Sequence, residues 1–347
     1  MGRAIKIFVP VLAALLLTSC LALALPVVKA DATPRTITVP DDFASIQDAV
    51  RNASAGDTVY VRAGNYTIPQ NWNDYELVIP SSVSLVGESP QNTIIETTQI
   101  HRSIFGWNYG IGINDNASIN GFTITGNANV IFLLGNGRIT NNIINLTADG
   151  RYAISVGSGT ISSNIINCVE QSLNSRGPGS GTIGIGTGTT ANTTISNNII
   201  NGFGIGIDSF SNSFKIFNNT FTNNAIGIFI QCSPALIWGN NFESSNGCGL
   251  RANGGTNATY NWWGTNDTKK VGNLAITTTG YDEDVDGKVI FEPFLTTPNP
   301  QAIPIQTAHN PNSGTEPFPT TVVAITSAAS LVIVGLSLLV YFKKRKR

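Results

Sequence analysis

An acidic segment near the C-terminal end has the spacing of half a calcium-binding loop. Asp282, Asp284 and Asp286 occupy relative positions 1, 3 and 5, and Gly287 occupies position 6. Carboxylates at these positions, with a glycine for the sharp turn, match the first half of a loop that holds Ca²⁺. Position 12 is Pro293, where such a loop needs a bidentate Glu. The segment therefore predicts either a calcium site or a plain acidic turn.

A second set of candidate residues recurs at a fixed offset from three glycines. Asp208, Phe229 and Arg251 each lie two residues after the glycine of a repeated apolar–Gly–apolar triplet. Equivalent positions in stacked repeats would form one outward column, with Asp208 and Arg251 about 10 Å apart, or two strand spacings. An acid, an aromatic ring and an arginine beside a smooth strip of glycines could contact an extended glycan. The alternative is an ordinary solvated sheet face.

Other chemistry has few candidate residues. Between His101 and Tyr260 no two acidic residues lie close in sequence, so a pair of catalytic carboxylates would have to come from different repeats. Copper binding needs His, Cys or Met ligands, but the sole Met is the initiator and His309 lies near the C-terminal end. Three cysteines follow the N-terminal apolar run: Cys168, Cys232 and Cys248. Because their number is odd, they do not form a disulfide framework.

The composition excludes several function classes. Only 12% of the 347 residues are charged, about half of the usual share, while 41% are hydrophobic. This balance excludes a disordered chain and does not suit a helical bundle. The only basic cluster is the last five residues, so we expect no nucleic-acid partner.

An internal sequence repeat predicts the secondary structure that would position these residues. The pattern Ile-x-x-Asn-x-(Ile or Phe) occurs five times with Asn spacings of 22, 34, 21 and 21, and its asparagines are Asn142, Asn164, Asn198, Asn219 and Asn240. Self-similarity at this period indicates a solenoid. An asparagine at each bend tolerates left-handed backbone and can bond to its counterpart in the next coil. We therefore predict an internal amide ladder; a row of ligand-binding amides is the alternative.

The glycine triplets predict a further strand in each repeat. Alternation along this strand would place the first isoleucine inward and the glycine outward, as in Ile205-Gly206 and Ile226-Gly227. Cys248 aligns with these isoleucines, so we expect it to be a small buried residue.

The two ends of the chain predict its location. Residues 1–30 have early basic residues, an apolar run and a small-residue cleavage pattern, which is typical of a secretory signal peptide; Leu17–Cys20 also resembles a lipidation signal. Residues 322–342 carry no charge and are long enough to span a bilayer, and the basic residues 343–347 would stay cytoplasmic. Residues 296–321 suit an extended Pro/Thr-rich stalk. The sequence thus predicts a single-pass cell-membrane protein with an external domain.

That external domain is acidic and carries several candidate glycosylation sites. The chain has 20 basic residues, of which three lie in the signal and five in the tail. The external domain therefore keeps 12 basic residues against 21 acidic residues. Seven Asn-x-Ser/Thr sites are candidates for N-glycosylation: Asn52, Asn65, Asn116, Asn145, Asn192, Asn257 and Asn266. Trp262 and Trp263 predict either a cap on the hydrophobic core or a sugar platform.

These motifs together resemble a known family. Residues 40–50, residues 55–61 and the Asn261–Gly264 segment are similar to the opening and closing segments of right-handed parallel β-helix proteins. The chain resembles the pectate-lyase-like superfamily, closest to the group of NosD-type and surface β-helix repeat proteins, over roughly residues 36–295. The resemblance implies an all-β, single-stranded, right-handed parallel β-helix over residues 58–295, with an N-terminal cap over residues 31–57 and one C-terminal transmembrane helix.

The cap region also predicts a short helix on physical grounds. Asp41 or Asp42 can cap its N-terminus, and Ile46, Ala49 and Val50 form one apolar stripe. Such a helix would close the open end of the solenoid.

The resemblance implies several functions because this architecture hosts lyases, hydrolases, epimerases and passive surface proteins. Pectate lyases need acidic Ca²⁺ ligands and a catalytic arginine in a groove on the outer face of one sheet, and the lyase motif Arg-x-Pro-x-x-Arg is not present. We therefore expect a non-catalytic structural, adhesion or glycan-binding module whose partners are the membrane and a polysaccharide or surface glycan. The alternatives are a polysaccharide lyase or related carbohydrate-active enzyme and, less favoured, a periplasmic copper-handling protein.

Overall fold

The computed structural model of the protein describes most of the region between the two apolar ends. The described residues are 33–68, 75–97, 109–127, 129–147, 151–169, 181–188, 192–211, 214–231, 235–243, 247–253, 255–277 and 288–303. The predicted signal peptide, calcium loop and transmembrane helix lie outside these ranges. Among the described residues, no helix is long and apolar enough to cross a bilayer.

The described chain is all-β apart from two short helices, α1 (Ile46–Arg51) and α2 (Thr268–Leu274). The strands are, in chain order, β1 (Thr36–Val39), β2 (Thr58–Val61), β3 (Gly64–Ile68), β4 (Tyr75–Ile79), β5 (Ser84–Gly87), β6 (Thr93–Thr97), β7 (Tyr109–Ile113), β8 (Ser118–Asn120), β9 (Thr123–Gly126), β10 (Asn129–Thr140), β11 (Ile143–Leu146), β12 (Tyr152–Ser162), β13 (Ile165–Cys168), β14 (Ile183–Thr187), β15 (Thr193–Ser196), β16 (Ile199–Asn201), β17 (Ile205–Ser209), β18 (Phe214–Phe217), β19 (Thr220–Thr222), β20 (Ile226–Ile230), β21 (Leu236–Trp238), β22 (Asn241–Phe242), β23 (Cys248–Ala252), β24 (Thr256–Asn257), β25 (Ala275–Thr277) and β26 (Val289–Ile290).

The strands form three stacks, and each strand pairs in parallel with its counterpart one coil away. Stack A contains β4, β7, the first halves of β10 and β12, β14, β17, β20, β23 and β25. Stack B contains β1, β2, β5, β8, the second halves of β10 and β12, β15, β18, β21, β24 and β26. Stack C contains β3, β6, β9, β11, β13, β16, β19 and β22. The predicted parallel β-helix is confirmed.

Helix α1 lies at the N-terminal end of the coils, as predicted, but its cap is a different residue. Ile46, Ala49 and Val50 are buried in the common core. The Ser45 Oγ accepts a hydrogen bond from the Asp48 backbone N at 3.1 Å and caps the helix, so the prediction of Asp41 or Asp42 was wrong. The Asp41 carboxylate instead accepts a hydrogen bond from Arg62, and the Asp42 carboxylate accepts one from the Thr38 backbone N.

The repeated asparagines form the predicted ladder at the bend between stacks B and C. Each is fully buried. In every ladder asparagine after Asn142, the side-chain oxygen accepts from the backbone and side-chain nitrogens of the asparagine one coil earlier, at 2.9–3.2 Å. The Asn142 Oδ1 accepts instead from the Phe122 backbone N at 3.1 Å. The ladder residues are Asn142, Asn164, Asn198, Asn219, Asn240 and Asn261. This arrangement satisfies buried amides that would otherwise each cost about 1–3 kcal/mol.

The left-handed backbone at this bend lies one residue earlier than expected. The residues with positive φ are those that precede the ladder asparagines, among them Asn141, Ser163, Asn197, Asn218 and Tyr260. The ladder asparagine is thereby free to point its side chain inward. The tolerance of asparagine for positive φ therefore does not explain why the ladder positions are asparagine; the hydrogen bonds do.

The glycines of the triplets face the core side, contrary to the prediction of a smooth outer strip. Gly206 and Gly227 are buried, and a Cβ on Gly206 would lie only 2.5 Å from the carbonyl oxygen of Gly227 in the next coil. A Cβ on Gly227 would meet the Phe242 ring at 3.0 Å. The glycine and the isoleucine that follows it are both buried, so the simple alternation assumed from the sequence fails there.

Cys248 is consequently half-buried rather than a core residue. The core position of its strand is Leu250, which is 0% exposed, whereas the Cys248 thiol donates to the carbonyl oxygens of Leu250 and Leu274 at 3.4 Å. Burial raises the pKa of this thiol.

A strap, residues 296–303, runs back along the bend between stacks B and C. Asn299 donates its backbone N–H to the Asn241 Oδ1 at 2.7 Å, and Asn197 donates to the carbonyl of Gln301 at 2.8 Å. The first residues of the predicted stalk therefore contact the coils.

Candidate functional site

The predicted column of Asp208, Phe229 and Arg251 exists on the outer face of stack A. Cα pairing places Asp208 opposite Phe229 and Phe229 opposite Arg251 on β17, β20 and β23. Two strand spacings of about 4.8 Å separate the first residue from the third. The expected register of the three side chains is therefore confirmed, although the glycine strip beside them is not.

The C-terminal part of this column is an arginine stacked on an aromatic ring. The Arg251 Cζ lies 5.5 Å from the centroid of the Phe229 ring, within the range of a cation–π contact. Arg251 is exposed and Phe229 is half-buried. The contact holds the guanidinium over the face of stack A without neutralising its charge.

Asp208 is the most buried member of the column. Its residue exposure is 6%, and its Oδ1 accepts a hydrogen bond of 2.7 Å from the Gln231 Nε2. Burial raises the pKa of the Asp208 carboxyl above its usual range, while the Gln231 hydrogen bond and the charge of Arg151 act in the opposite direction. Gln231 follows directly after β20, so its side chain reaches back to the preceding coil.

A tyrosine and a second arginine extend the site toward the N-terminal end. Gly186 pairs with Asp208, and a Cβ on Gly186 would lie 2.5 Å from the Tyr152 Cε1, so the tyrosine ring covers this glycine. The Arg151 Cζ lies 5.2 Å from the centroid of that ring. Burial raises the pKa of the Tyr152 hydroxyl. The positive charge of Arg151 acts to lower this pKa, and the negative charge of Asp208 acts to raise it.

The site is therefore a row that crosses β12, β14, β17, β20 and β23. It begins with Arg151 on Tyr152, continues through the buried Asp208, and ends with Arg251 on Phe229. Four strand spacings give it a length of about 19 Å. Two aromatic rings, two guanidinium groups and one acid on a rigid sheet can contact successive units of an extended polar chain. We name this surface the stack A row.

Sequence reasoning missed three of these residues: Arg151, Tyr152 and Gln231. Tyr152 pairs with Ile183, the first residue of a glycine triplet, but its own triplet is Tyr152-Ala153-Ile154 and lacks the glycine. Alignment on apolar positions alone, with the glycine ignored, would have found it. Gln231 lies beyond the strand and had no sequence signal.

Replacing Asp208 with asparagine should change how stability depends on pH. A carboxyl whose pKa is raised in the folded state favours folding most below its unfolded value of 3.8, and that contribution is lost as the pH rises through the folded value. Relative to Asp208→Asn, the wild-type free energy of unfolding should therefore fall as the pH rises above 3.8. Denaturant unfolding of both proteins at several pH values between 3 and 7 measures this; parallel curves would contradict it.

A family model gives the affiliation of the chain. Residues 35–251 match the model described as "Rhamnogalacturonase A/epimerase, pectate lyase-like". The chain belongs to this pectate-lyase-like family. The matched range contains the complete stack A row, and it ends at Arg251.

Two solved structures are similar to this pectate-lyase-like chain at low identity. The first is a mutant of the PL6 family alginate lyase AlyGC, with 14% identity, a TM-score of 0.36, and coverage of 65% of this chain and 38% of the lyase. The second is ORF18 of Geobacillus virus E2, with 14% identity, a TM-score of 0.23, and coverage of 66% and 58%. The chain thus spans less than two thirds of either structure. No curated protein matches it.

Two other sites were predicted for this pectate-lyase-like chain: a metal site, and a tryptophan pair that would be either a core cap or a sugar platform. The described residues contain no group of three or more His, Cys, Asp or Glu side chains placed to hold a metal ion. Asp282, Asp284 and Asp286 lie outside the described ranges. Trp263 is 1% exposed and stacks on Phe242, which supports the capping role over a sugar platform.

The candidate glycosylation sites differ in exposure. Asn145 is half-buried, and its Oδ1 accepts a hydrogen bond of 3.1 Å from the Asn167 Nδ2. The other six are exposed: Asn52, Asn65, Asn116, Asn192, Asn257 and Asn266.

Proposed function

We propose that this chain is a non-catalytic glycan-binding β-helix protein displayed at a cell surface. The observation that carries this proposal is the stack A row, in which two arginines held by aromatic rings flank a buried acid. Guanidinium groups and aromatic rings are the usual partners for the hydroxyls, carboxylates and apolar faces of sugars. The row is built on paired strands, so little conformational entropy is lost when an extended ligand binds.

We propose that the chain is non-catalytic because the stack A row contains a single carboxylate. Glycosidases use a pair of carboxyl groups on either side of the bond that they cleave. In the row as described, Asp208 is the only acid, and it accepts a hydrogen bond from Gln231. A single buried acid of this kind suits positioning of a ligand hydroxyl better than the two-residue chemistry of hydrolysis.

A polysaccharide lyase is the second candidate, and one feature of the row favours it. Tyr152 and Asp208 both have a raised pKa and lie near Arg151. Groups with raised pKa values beside a cation are common among proton-transferring residues. Family membership adds to this candidate, because the family description includes carbohydrate-active enzymes.

One experiment separates the two candidates. The full-length protein in detergent micelles is incubated with a panel of immobilised neutral and acidic polysaccharides. Retention on the panel is measured, and the supernatants are assayed for unsaturated sugars and for new reducing ends. We expect retention on at least one polysaccharide without either product. Product release would replace the proposal by the enzymatic alternative, and the absence of both retention and product on every polysaccharide would contradict both candidates.

Membrane anchoring is proposed from the sequence. The uncharged run 322–342 and the basic residues 343–347 support a single C-terminal span with an external β-helix. Alkaline extraction of membranes should leave the full chain in the pellet and release a variant that ends at residue 321. Release of both forms would contradict the anchor.

A further inference from the structure

A polar groove lies on the outer face of stack B, away from the stack A row. It has a volume of about 460 Å³, which falls in the range of small-ligand sites, roughly 300–1,000 Å³. Its described lining comes from β5, β8 and β10 and from the bends before β8 and within β10. The lining residues are Ser84, Val86, Asn116, Ser118, Asn120, Asn136, Arg138 and Thr140. We name it the Arg138 groove.

The floor of the groove consists of two columns set by strand register. Ser84, Ser118 and Arg138 are paired in one column, and the Ser118 Oγ donates to the Ser84 Oγ at 3.1 Å. The second column, two residues further along each strand, contains Val86, Asn120 and Thr140 in the same order. Outward positions of a parallel sheet lie about 4.8 Å apart, so these side chains form a regular grid.

One wall of the groove is fixed by the bend before stack B. Asn116 has a φ of 57°, a left-handed conformation, and its backbone N donates to the carbonyl of Asn136 at 3.1 Å. Asn136 follows a register irregularity in β10, and its backbone N donates to the Asp115 Oδ1 at 2.9 Å. Hydrogen bonds therefore fix the backbone of both asparagines, and with it the position from which each side chain extends.

The chemistry of the lining selects a ligand class. Three hydroxyl groups and three amides can each donate and accept hydrogen bonds, and Arg138 is the one charged residue of the described lining. The described lining contains neither a carboxylate nor an aromatic ring. Recognition would therefore depend on hydrogen bonds and on one positive charge, and an arginine favours carboxylate or phosphate partners.

We propose that the Arg138 groove binds a small anion that carries several hydroxyl groups, of the chemical class of sugar acids and sugar phosphates. The anionic group contacts Arg138, and the hydroxyls contact the serine, threonine and asparagine side chains. This inference goes beyond the proposed function because it concerns a different face and a single small ligand.

Calorimetric titration of the full-length protein tests the inference. The protein is produced in a host without N-glycosylation, since Asn116 lies in a candidate glycosylation site. The titrants are glucuronate, glucose 6-phosphate, glucose and inorganic phosphate. We expect saturable binding of at least one sugar anion, with glucose and inorganic phosphate at least about tenfold weaker, because each lacks one of the two recognition elements. No saturable binding of either sugar anion would overturn the inference, as would equal affinity for inorganic phosphate.

Three variants locate the binding. Arg138→Ala should weaken the sugar anion at least about tenfold. Lys215→Ala is the matched control, because Lys215 continues the same column three strands further, outside the groove. The double variant Arg151→Ala/Arg251→Ala disrupts the stack A row and should leave this binding unchanged. Wild-type affinity in Arg138→Ala, or loss in the double variant alone, would overturn the groove without affecting the proposed function of the stack A row.

Discussion

Replacing Asn219 with alanine is expected to lower the free energy of unfolding by about 3–5 kcal/mol. The Asn219 Oδ1 accepts from the backbone N of Asn198 at 3.0 Å and from its Nδ2 at 2.9 Å. Its Nδ2 donates to the carbonyls of Ile195 and Phe217 and to the Asn240 Oδ1. Alanine removes every one of these bonds inside a buried bend. Each unsatisfied buried group costs about 1–3 kcal/mol, so several of them together give the expected loss.

Asn201→Ala is the matched control for the ladder. Asn201 is also an asparagine bonded across coils, to Thr222 and Asn223, but it is half-buried on the outer face of stack C. Water can replace its partners, so its loss should cost about 1 kcal/mol or less. Denaturant unfolding followed by circular dichroism compares both variants with wild type. Equal losses would mean that the internal ladder has no special role.

Replacing Phe242 with alanine should cost a similar amount, about 3–5 kcal/mol, for a different reason. The Phe242 ring lies between Phe221, at 5.1 Å between centroids, and Trp263, at 4.6 Å, with interplanar angles of 12° and 13°. It is 1% exposed. Alanine would remove buried apolar area and leave a cavity that rigid neighbouring coils cannot fill, which is the costly case for a core aromatic residue.

Phe217→Ala is the control for this stack. The Phe217 ring also stacks on a tryptophan, Trp238, at 4.7 Å between centroids, but it lies half-buried on the outer face of stack B. No closed cavity forms there, so we expect a loss of about 1 kcal/mol. The same unfolding measurement compares the two variants, and a smaller loss for Phe242→Ala than for Phe217→Ala would contradict the account of the core.

The ladder was predictable because its signal is carried by one residue type at one spacing. A buried amide that must bond both to its own bend and to the next coil has few substitutes, so Asn142 and its counterparts recur visibly. The left-handed residue before each of them was not predictable. It is asparagine at 141, serine at 163 and tyrosine at 260, because the bend constrains φ but not the identity of the side chain.

The candidate site was predictable only in part. Register from the repeat correctly paired Asp208, Phe229 and Arg251, since pairing depends on spacing alone. The direction of the glycines was predicted wrongly, because strict period-two alternation does not hold where the glycine and the following isoleucine are both buried. Tyr152 and Gln231 were missed because their roles depend on side chains that cross from one coil to another, which spacing within one strand does not reveal.

The central claim is that the stack A row binds glycan. Its most direct test is a titration of the full-length protein with the polysaccharide that is retained in the panel, using the double variant Phe229→Ala/Arg251→Ala. Loss of the ring and of the guanidinium stacked on it should weaken binding at least about tenfold. The control Lys215→Ala/Leu236→Ala, which removes exposed side chains from stack B, should bind as wild type does. Wild-type affinity in the Phe229→Ala/Arg251→Ala variant would contradict the claim.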